Sequence, residues 1–335
     1  PTALAAMTFA AYATSVFEAG ESVWLEKSLA SGLVILLTLV HASNRRNSGG
    51  LQVVFTVLKV AIIVIFCVAA FIATDSPQPI DFLPAAGDGA LLTSGVFAVA
   101  LIYVSYAYTG WNAATYLSSE LENPQRTLPW ILMGGTLIVT VLYVSLNFIF
   151  LHTTPMDSMA GQLEIGFIAA ETAFGDLGGR FTGLVLAMLL ISTVSAMTMA
   201  GPRVIQVIGE DFPVLKALAK KNKDGIPATA IYLQSAIALL FIFSSTFESV
   251  LVFSSFTLAL SSFTTVLGIF VLRWRQPDLP RPYKTFLYPL PPLIYLALTG
   301  WTLTFVLVSR PVEGLFGLGI IALGLVFYFL SSTKK

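Results

Sequence analysis

Charge is scarce in this sequence. Only 11% of its 335 residues are charged, whereas 56% are hydrophobic, and a soluble domain carries about 25% charged residues. A surface in contact with water needs charge, so the deficit excludes a water-soluble globular fold. Apolar runs of about 20 residues recur along the whole chain, and runs of this length are typical of transmembrane helices. The sequence therefore predicts an all-α protein that crosses the lipid bilayer many times.

Other scarce or missing features exclude several classes of function. The net charge is zero, so no basic face indicates nucleic-acid binding. The single cysteine, Cys67, cannot form a disulfide within the chain, and two histidines, His41 and His152, are too few for a histidine-based metal site. No Gly-rich phosphate loop or nucleophile elbow is present, and every Asp and Glu falls in a loop or at a span end. We therefore expect no cofactor, no metal and no enzymatic activity.

The hydropathy pattern predicts one partial helix and nine full spans, which form one transmembrane domain over residues 1–335. Helices are expected because an unpaired backbone group in lipid costs several kcal/mol. Residues 3–17 are too short a stretch to span, and the sequence starts without Met or a signal peptide, so we interpret its start as a cut through a helix. The predicted full spans lie near 29–43, 52–73, 91–117, 129–151, 181–208, 228–247, 249–272, 288–308 and 314–331.

The distribution of Lys and Arg predicts the orientation. Fourteen of the 18 basic residues fall in alternate loops and in the C-terminal tail. Three fall in the opposite loops: Lys27, Arg180 and Arg310. By the positive-inside rule the C-terminus is cytoplasmic, in a multi-pass protein of the plasma or inner membrane. Segment 153–179 is then an outer loop, whose helical middle, 163–174, is either a linker or a gate.

Lys59 is the only charged residue in the interior of a span. It lies about 12 Å from the cytoplasmic end at a rise of about 1.5 Å per residue, and placing it there costs about 2.5–3.5 kcal/mol. A lysine side chain reaches only about half that depth by snorkelling to the interface. A functional role is therefore favoured over a structural one.

A second signal is the segment from Tyr106 to Asn112 inside the span 91–117. Gly110, among aromatic and β-branched residues, is a poor centre for an unbroken helix. A break in mid-membrane exposes backbone groups to a cavity, and many transporters build substrate sites in this way. Close helix packing at the glycine is the other interpretation, and composition alone leaves both open.

Together with the loop 120–129, this segment resembles the sixth helix and following loop of the amino acid–polyamine–organocation transporters. The similarity is strongest to L-type amino-acid transporters and bacterial amino-acid permeases. Four other stretches resemble the same family in the same order: the start of the fifth helix at 55–59, the end of the eighth and its loop at 201–213, the lead into the ninth at 220–234, and the loop before the eleventh at 278–284. The resemblance covers essentially the whole chain.

The resemblance implies a LeuT-like inverted-repeat bundle of twelve helices. The partial helix corresponds to the third helix of the family and the nine full spans to the fourth through twelfth. The first two helices and the start of the third are then missing from this sequence. In the family the first helix carries half of the substrate site, so this chain alone is not expected to transport.

The resemblance also implies a function, which is sodium-independent transport of amino acids by alternating access, coupled to protons or to exchange. Tyr106 corresponds to an aromatic gate over the substrate. The carbonyl groups of Tyr106, Ala107 and Tyr108 correspond to acceptors for its α-ammonium group. Three further positions correspond to the walls of the side-chain pocket: Gly110, Trp111 and Asn112.

Lys59 corresponds to a lysine that takes the place of a sodium ion in sodium-independent relatives, with Ser195 expected as its partner from the eighth helix. Its ammonium either replaces the cation or exchanges a proton during transport. The alternative functions are a polyamine or organic-cation carrier, which should need a carboxylate in its pocket, and a membrane bundle without transport activity. The sequence determines neither the particular amino acid nor an accessory subunit.

Overall fold

The computed structural model describes residues 1–17, 22–43, 49–111, 114, 121–281 and 283–332, and every regular element within these ranges is a helix. The helices are α1 Thr2–Val16, α2 Val23–Ser43, α3 Gly49–Ala73, α4 Asp88–Leu92, α5 Gly95–Ala107, α6 Pro124–Thr153, α7 Met156–Met159, α8 Ile165–Asp211, α9 Ala228–Ser244, α10 Phe247–Arg275, α11 Leu290–Ser309 and α12 Pro311–Ser332. A 3₁₀ helix, Pro213–Ala219, follows α8.

Seven of these helices are long and apolar enough to cross a membrane. They are α2, α3, α6, α8, α10, α11 and α12, and each coincides with a predicted span. Many of their large apolar side chains are exposed, for example Ile72 and Leu323 at 76% and 69%. In a bilayer such side chains face lipid, so the structure confirms an all-α membrane protein.

Two of the predicted full spans contain shorter helices than expected. Within the predicted span 91–117 the helix α5 has 13 residues, and within 228–247 the helix α9 has 17. α9 ends at Ser244, and the two residues Ser245 and Thr246 connect it to α10. The partial helix predicted at 3–17 is α1, with 15 residues.

The helix α8 contains a sharp break at Gly175. The backbone there adopts φ 75° and ψ −179°, which separates a short helix, 165–174, from the long arm that follows. The two parts approach closely, because a Cβ atom on Gly179 would lie 2.8 Å from Cβ of Glu171. The helix predicted at 163–174 is thereby confirmed, and the segment 153–179 is mainly helical rather than an open loop.

The chain divides into two compact units, and the first comprises Pro1–Phe82 and Thr140–Phe247. Its core joins α1, α2, α8 and α9, and many of the buried residues are alanines, such as Ala6, Ala10 and Ala30. Membrane helices associate through small residues, because these let the backbones approach closely. In the same unit, α3 packs against α8.

The second unit comprises Leu83–Val139 and Glu248–Lys335. Its core joins α5, α10 and α11 through larger side chains, with Ile102, Phe256 and Val306 almost fully buried. At the start of α5, Gly95 lets α11 come close, since a Cβ atom there would lie 3.1 Å from the ring of Phe305. The core therefore fixes α5, which carries the predicted substrate segment, against α10 and α11.

Candidate functional site

The helix α5 ends at Ala107, in the middle of the predicted span. At its start the hydroxyl of Ser94 accepts a hydrogen bond from the N–H of Phe97 at 3.2 Å, which caps the helix. At its end the N–H of Thr109 donates to the carbonyl of Tyr106 at 2.9 Å, three residues back rather than four. The regular α-helical pattern lapses at this point, and the break predicted between Tyr106 and Asn112 is confirmed.

Gly110 adopts φ 105°, a left-handed conformation that residues with a Cβ atom rarely take. Among the described residues, no heavy atom lies within 4 Å of the position that a Cβ would occupy, so none of them requires glycine here for space. The requirement is conformational. Of the two interpretations of this glycine, the structure supports the helix break and not close packing.

The predicted substrate residues lie on both sides of the break. Tyr106 and Tyr108 are half-buried, whereas Ala107 and Trp111 are exposed. The carbonyl oxygen of Tyr106 accepts a second hydrogen bond from the hydroxyl of Thr109 at 2.7 Å. Two donors on one carbonyl occupy both of its lone pairs, so Thr109 completes the end of the helix. Asn112 lies outside the described residues.

Lys59 points from α3 toward α8, as predicted. Its ammonium Nζ donates a hydrogen bond to the hydroxyl of Thr193 at 2.9 Å, and this hydroxyl donates in turn to the carbonyl of Leu189 at 3.1 Å. Within the described ranges no carboxylate lies within 4.0 Å of Nζ. The positive charge is therefore held by a hydroxyl on a neighbouring helix and not by an ion pair.

The expected pairing of Lys59 with Ser195 is wrong. Ser195 Oγ instead forms a hydrogen bond with His41 Nε2 at 2.8 Å. Successive residues of an α-helix are rotated by about 100°, so two positions apart they point in nearly opposite directions. Thr193 faces α3, and Ser195 faces α2.

Ser192 is next to Thr193 on α8. Its hydroxyl is buried and is the one buried side-chain polar atom without a hydrogen-bond partner among the described residues. Most buried hydroxyls bond to something, and Thr193 and Thr198 on the same helix bond to carbonyls four residues back. Ser192 differs in this from both threonines.

A third polar group lies on α5 about one helical turn before the break and was not found from the sequence. The hydroxyl of Tyr103 donates to Glu248 Oε1 at 3.0 Å, and the guanidinium of Arg310 forms a salt bridge with the same carboxylate oxygen. Tyr103 precedes Tyr106 by three residues, so the two rings are on neighbouring parts of one helix face. The contact with Glu248 therefore restrains the rotation of α5 about its axis.

The model of the amino acid permease family matches residues 2–330 of this sequence. The chain belongs to this family. The resemblance seen in the sequence motifs is thereby confirmed.

Curated members of the family are similar over most of the chain. The mouse (Mus musculus) b(0,+)-type amino acid transporter 1 is 28% identical over 98% of this chain and 67% of its own length. The branched-chain amino acid permease BcaP of Lactococcus lactis is 29% identical over 78% of this chain and 57% of its own length. The serine/threonine exchanger SteT of Bacillus subtilis is 25% identical, with 93% and 70% covered.

This permease chain is shorter than its relatives. It spans 60 to 67% of the length of the four b(0,+)-type transporters that it matches. The relatives therefore contain segments with no counterpart in this sequence.

Proposed function

We propose that this chain is the larger part of a sodium-independent amino acid transporter that works by alternating access. The observation that carries the proposal is the interruption of α5 after Ala107, with Gly110 in a left-handed conformation. Backbone groups released at such a break are tolerated in a membrane only where they line a cavity or contact protein. Amino acids are the cargo named for the relatives in mouse and Lactococcus lactis, which supports the substrate class.

The proposed architecture is the LeuT-like inverted-repeat bundle. In this arrangement α1 is the end of the third helix, α5 the first half of a discontinuous sixth helix, and α12 the twelfth. The whole chain is then one transmembrane domain, with its C-terminus in the cytoplasm. The first helix, which lies outside this sequence, supplies the other half of the substrate site, so activity belongs to the complete protein.

The proposed substrate site is the break itself. The α-ammonium group of the amino acid binds the carbonyl groups at Tyr106, Ala107 and Tyr108. Because the Thr109 hydroxyl occupies the Tyr106 carbonyl in this structure, it must rotate away when the ammonium group binds. The ring of Tyr106 closes over the substrate as a gate. The pocket for its side chain is formed by Gly110, Trp111 and Asn112.

The proposed coupling site is Lys59 with Thr193. A fixed ammonium group held by a hydroxyl provides the charge that a bound sodium ion provides in sodium-dependent transporters. Transport then needs no sodium. The proposed second oxygen ligand is Ser192, which is next to Thr193 in sequence and has a buried hydroxyl without a partner among the described residues. Whether Lys59 stays charged or exchanges a proton distinguishes two mechanisms, exchange and proton coupling.

Uptake of radiolabelled amino acids by the complete protein in proteoliposomes tests the proposal. We expect uptake without sodium, and loss of that uptake in Lys59→Ala. A pH gradient should stimulate net uptake if Lys59 exchanges a proton, whereas internal amino acid should be required if the protein is an exchanger. Sodium-dependent uptake that is unchanged in Lys59→Ala would reject the coupling site.

The second candidate function is polyamine or organic-cation transport. Recognition of a polyamine should need a carboxylate, and residues 95–111 contain none. Another curated relative, from Oryctolagus cuniculus, is named large neutral amino acids transporter small subunit 2. It is 30% identical over 90% of this chain and 56% of its own length. Neutral amino acids are therefore the first substrates to test, with spermidine as the competitor that should have no effect.

A further inference from the structure

The connection between α10 and α11 lines a cavity of about 570 Å³ that is open to the surface. This volume falls within the range of about 300–1,000 Å³ typical of ligand sites. Its lining combines three cationic side chains with two hydroxyls and two leucines: Arg273, Arg281, Lys284, Thr285, Tyr288, Leu279 and Leu287. All of these residues belong to the second unit, and none is part of the transport site proposed above.

Arg281 builds the wall of this cavity. Its guanidinium donates hydrogen bonds to the backbone carbonyls of Gln276, Pro277 and Leu279 at 2.7, 2.8 and 2.9 Å. These bonds close the chain into a loop directly after the end of α10. The carbonyls occupy three of the five N–H donors of Arg281, and among the described residues no carboxylate serves as its counter-ion.

Arg273 is held in a fixed orientation at the end of α10. Its guanidinium carbon lies 3.6 Å from the centre of the Tyr288 ring, and one nitrogen donates to the hydroxyl of Thr285 at 3.5 Å. A guanidinium carries five N–H donors, and stacking on an aromatic ring leaves the in-plane donors accessible. The stack therefore prepares Arg273 to bind a planar or tetrahedral anion.

The charge around the cavity is positive. Segment 273–288 contains four basic residues and one acidic residue, Asp278, which gives a net charge of +3. Within the part of the chain that the structure describes, no carboxylate lies within 4.0 Å of the charged atoms of Arg273, Arg281 or Lys284. Uncompensated cations around a cavity attract an anionic group.

The same segment exposes large apolar side chains beside the cations. Trp274, Phe286 and Tyr283 are exposed at 81%, 74% and 57%, and they lie between the ends of two membrane-spanning helices. Trp and Tyr concentrate at the membrane–water interface, and clusters of Lys and Arg next to a span attract anionic lipids. The connection therefore combines cations for a headgroup with an apolar surface for acyl chains.

We propose that this cavity binds the phosphate headgroup of an anionic phospholipid. Arg273 and Lys284 contact the phosphate, the hydroxyls of Thr285 and Tyr288 accept or donate further hydrogen bonds, and the acyl chains lie along the exposed apolar side chains. The lipid would hold the α10–α11 connection at the membrane surface. This proposal does not depend on transport activity.

Native mass spectrometry of the complete protein in detergent, titrated with phosphatidylglycerol, tests the site. We expect Arg273→Gln and Lys284→Gln each to weaken lipid binding about tenfold or more, because each removes a charge-assisted hydrogen bond to the phosphate and not only a charge near the membrane surface. Lys284 is exposed, so its replacement should leave folding intact even if Arg273→Gln loosens the loop. The matched control is Arg275→Gln, which removes the same charge two residues away but does not line the cavity.

Three outcomes would overturn the proposal. An equal loss of lipid binding in Arg275→Gln would mean that the lipid is attracted to surface charge in general. Equal binding of phosphatidylcholine, which has no net charge, would mean that the apolar surface alone holds the lipid. Competition by inorganic phosphate at the concentration of the lipid would assign the cavity to a free anion. Selective binding of phosphatidylglycerol, lost in both cavity variants and retained in the control, supports it.

Discussion

The side-chain amide of Gln234 occupies the space beside Gly201 that a Cβ atom would need. From α9, its nitrogen donates to the carbonyl of Met197 at 3.1 Å and to the hydroxyl of Thr2 at 3.2 Å. One side chain thus connects α9 with α8 and α1. The next residue in α8 is Pro202, which has no N–H to donate. Gln234 therefore reinforces α8 where its own hydrogen bonding is weakest.

Replacing Gly201 with Ala should displace Gln234 and break this connection. Side-chain hydrogen bonds between membrane helices average about 0.6 kcal/mol and reach about 1.7 kcal/mol, so we expect a loss of about 1 kcal/mol and a lower unfolding temperature in detergent. Gly32→Ala is the matched control, because no described atom outside its own stretch of helix lies within 4 Å of that Cβ position. In a protein that already carries Gln234→Ala, the Gly201→Ala substitution should lower the unfolding temperature little. An undiminished loss of stability there would contradict the pairing.

Thr193 should matter for sodium-independent uptake, and Ser195 should not. Thr193→Val keeps the shape of the side chain but removes the acceptor of Lys59 Nζ, whereas Thr193→Ser keeps the hydroxyl. We expect about tenfold lower uptake in Thr193→Val, which corresponds to about 1.4 kcal/mol, and near-normal uptake in Thr193→Ser. Ser195→Ala breaks only the contact with His41. A larger loss in Ser195→Ala than in Thr193→Val would restore the pairing expected from the sequence.

The contrast between Thr193 and Ser195 shows why the sequence could not identify the partner of Lys59. Lys59 is conspicuous as the one charge inside a span, so its direction toward the eighth helix of the family was predictable. The face of α8 that meets Lys59 could not be predicted. A helix with apolar residues around much of its circumference gives little sign of which side faces which neighbour. Choosing between residues two positions apart requires the rotation of the helix, which only packing determines.

The helix break was predictable for the opposite reason. A glycine among aromatic and β-branched residues is a local signal, and the left-handed conformation of Gly110 is a property of that one position in the chain. The contact among Tyr103, Glu248 and Arg310 joins three segments more than 60 residues apart in sequence. None of these residues stands out from its neighbours in the sequence. Only the folded second unit brings them together.

Gly110→Ala should impair transport without preventing insertion into the membrane. A residue with a Cβ atom pays about 1–2 kcal/mol for a left-handed conformation, and Gly110 is at φ 105°. The strain should shift the segment toward a continuous helix and reduce the affinity for substrate about tenfold, measured as half-saturating concentration in proteoliposomes. Gly134→Ala is the control and should transport normally, because no described atom outside its own stretch of α6 lies within 4 Å of the Cβ position. Normal uptake by Gly110→Ala would show that the break is not used.

Tyr103→Phe should weaken substrate binding although Tyr103 does not touch the proposed site. The substitution removes the hydroxyl that donates to Glu248 at 3.0 Å and leaves the ring in place. Glu248 and Arg310 are partly exposed, so solvent screening limits the contribution of the hydrogen bond to about 1 kcal/mol. That energy corresponds to about a fivefold rise in the half-saturating concentration of substrate. The physical reason is that α5, released from Glu248, rotates more freely and holds Tyr106 less firmly over the substrate.

Two comparisons separate this positioning effect from a general loss of stability. Tyr295→Phe removes a phenolic hydroxyl from α11 and should leave uptake unchanged, since no hydrogen bond joins that hydroxyl to another described residue. Glu248→Gln should raise the half-saturating concentration by itself, and adding Tyr103→Phe to it should cause little further change, because both substitutions break the same contact. Additive effects of the two substitutions would mean that Tyr103 and Glu248 act separately, and that packing against α10 and α11 orients α5.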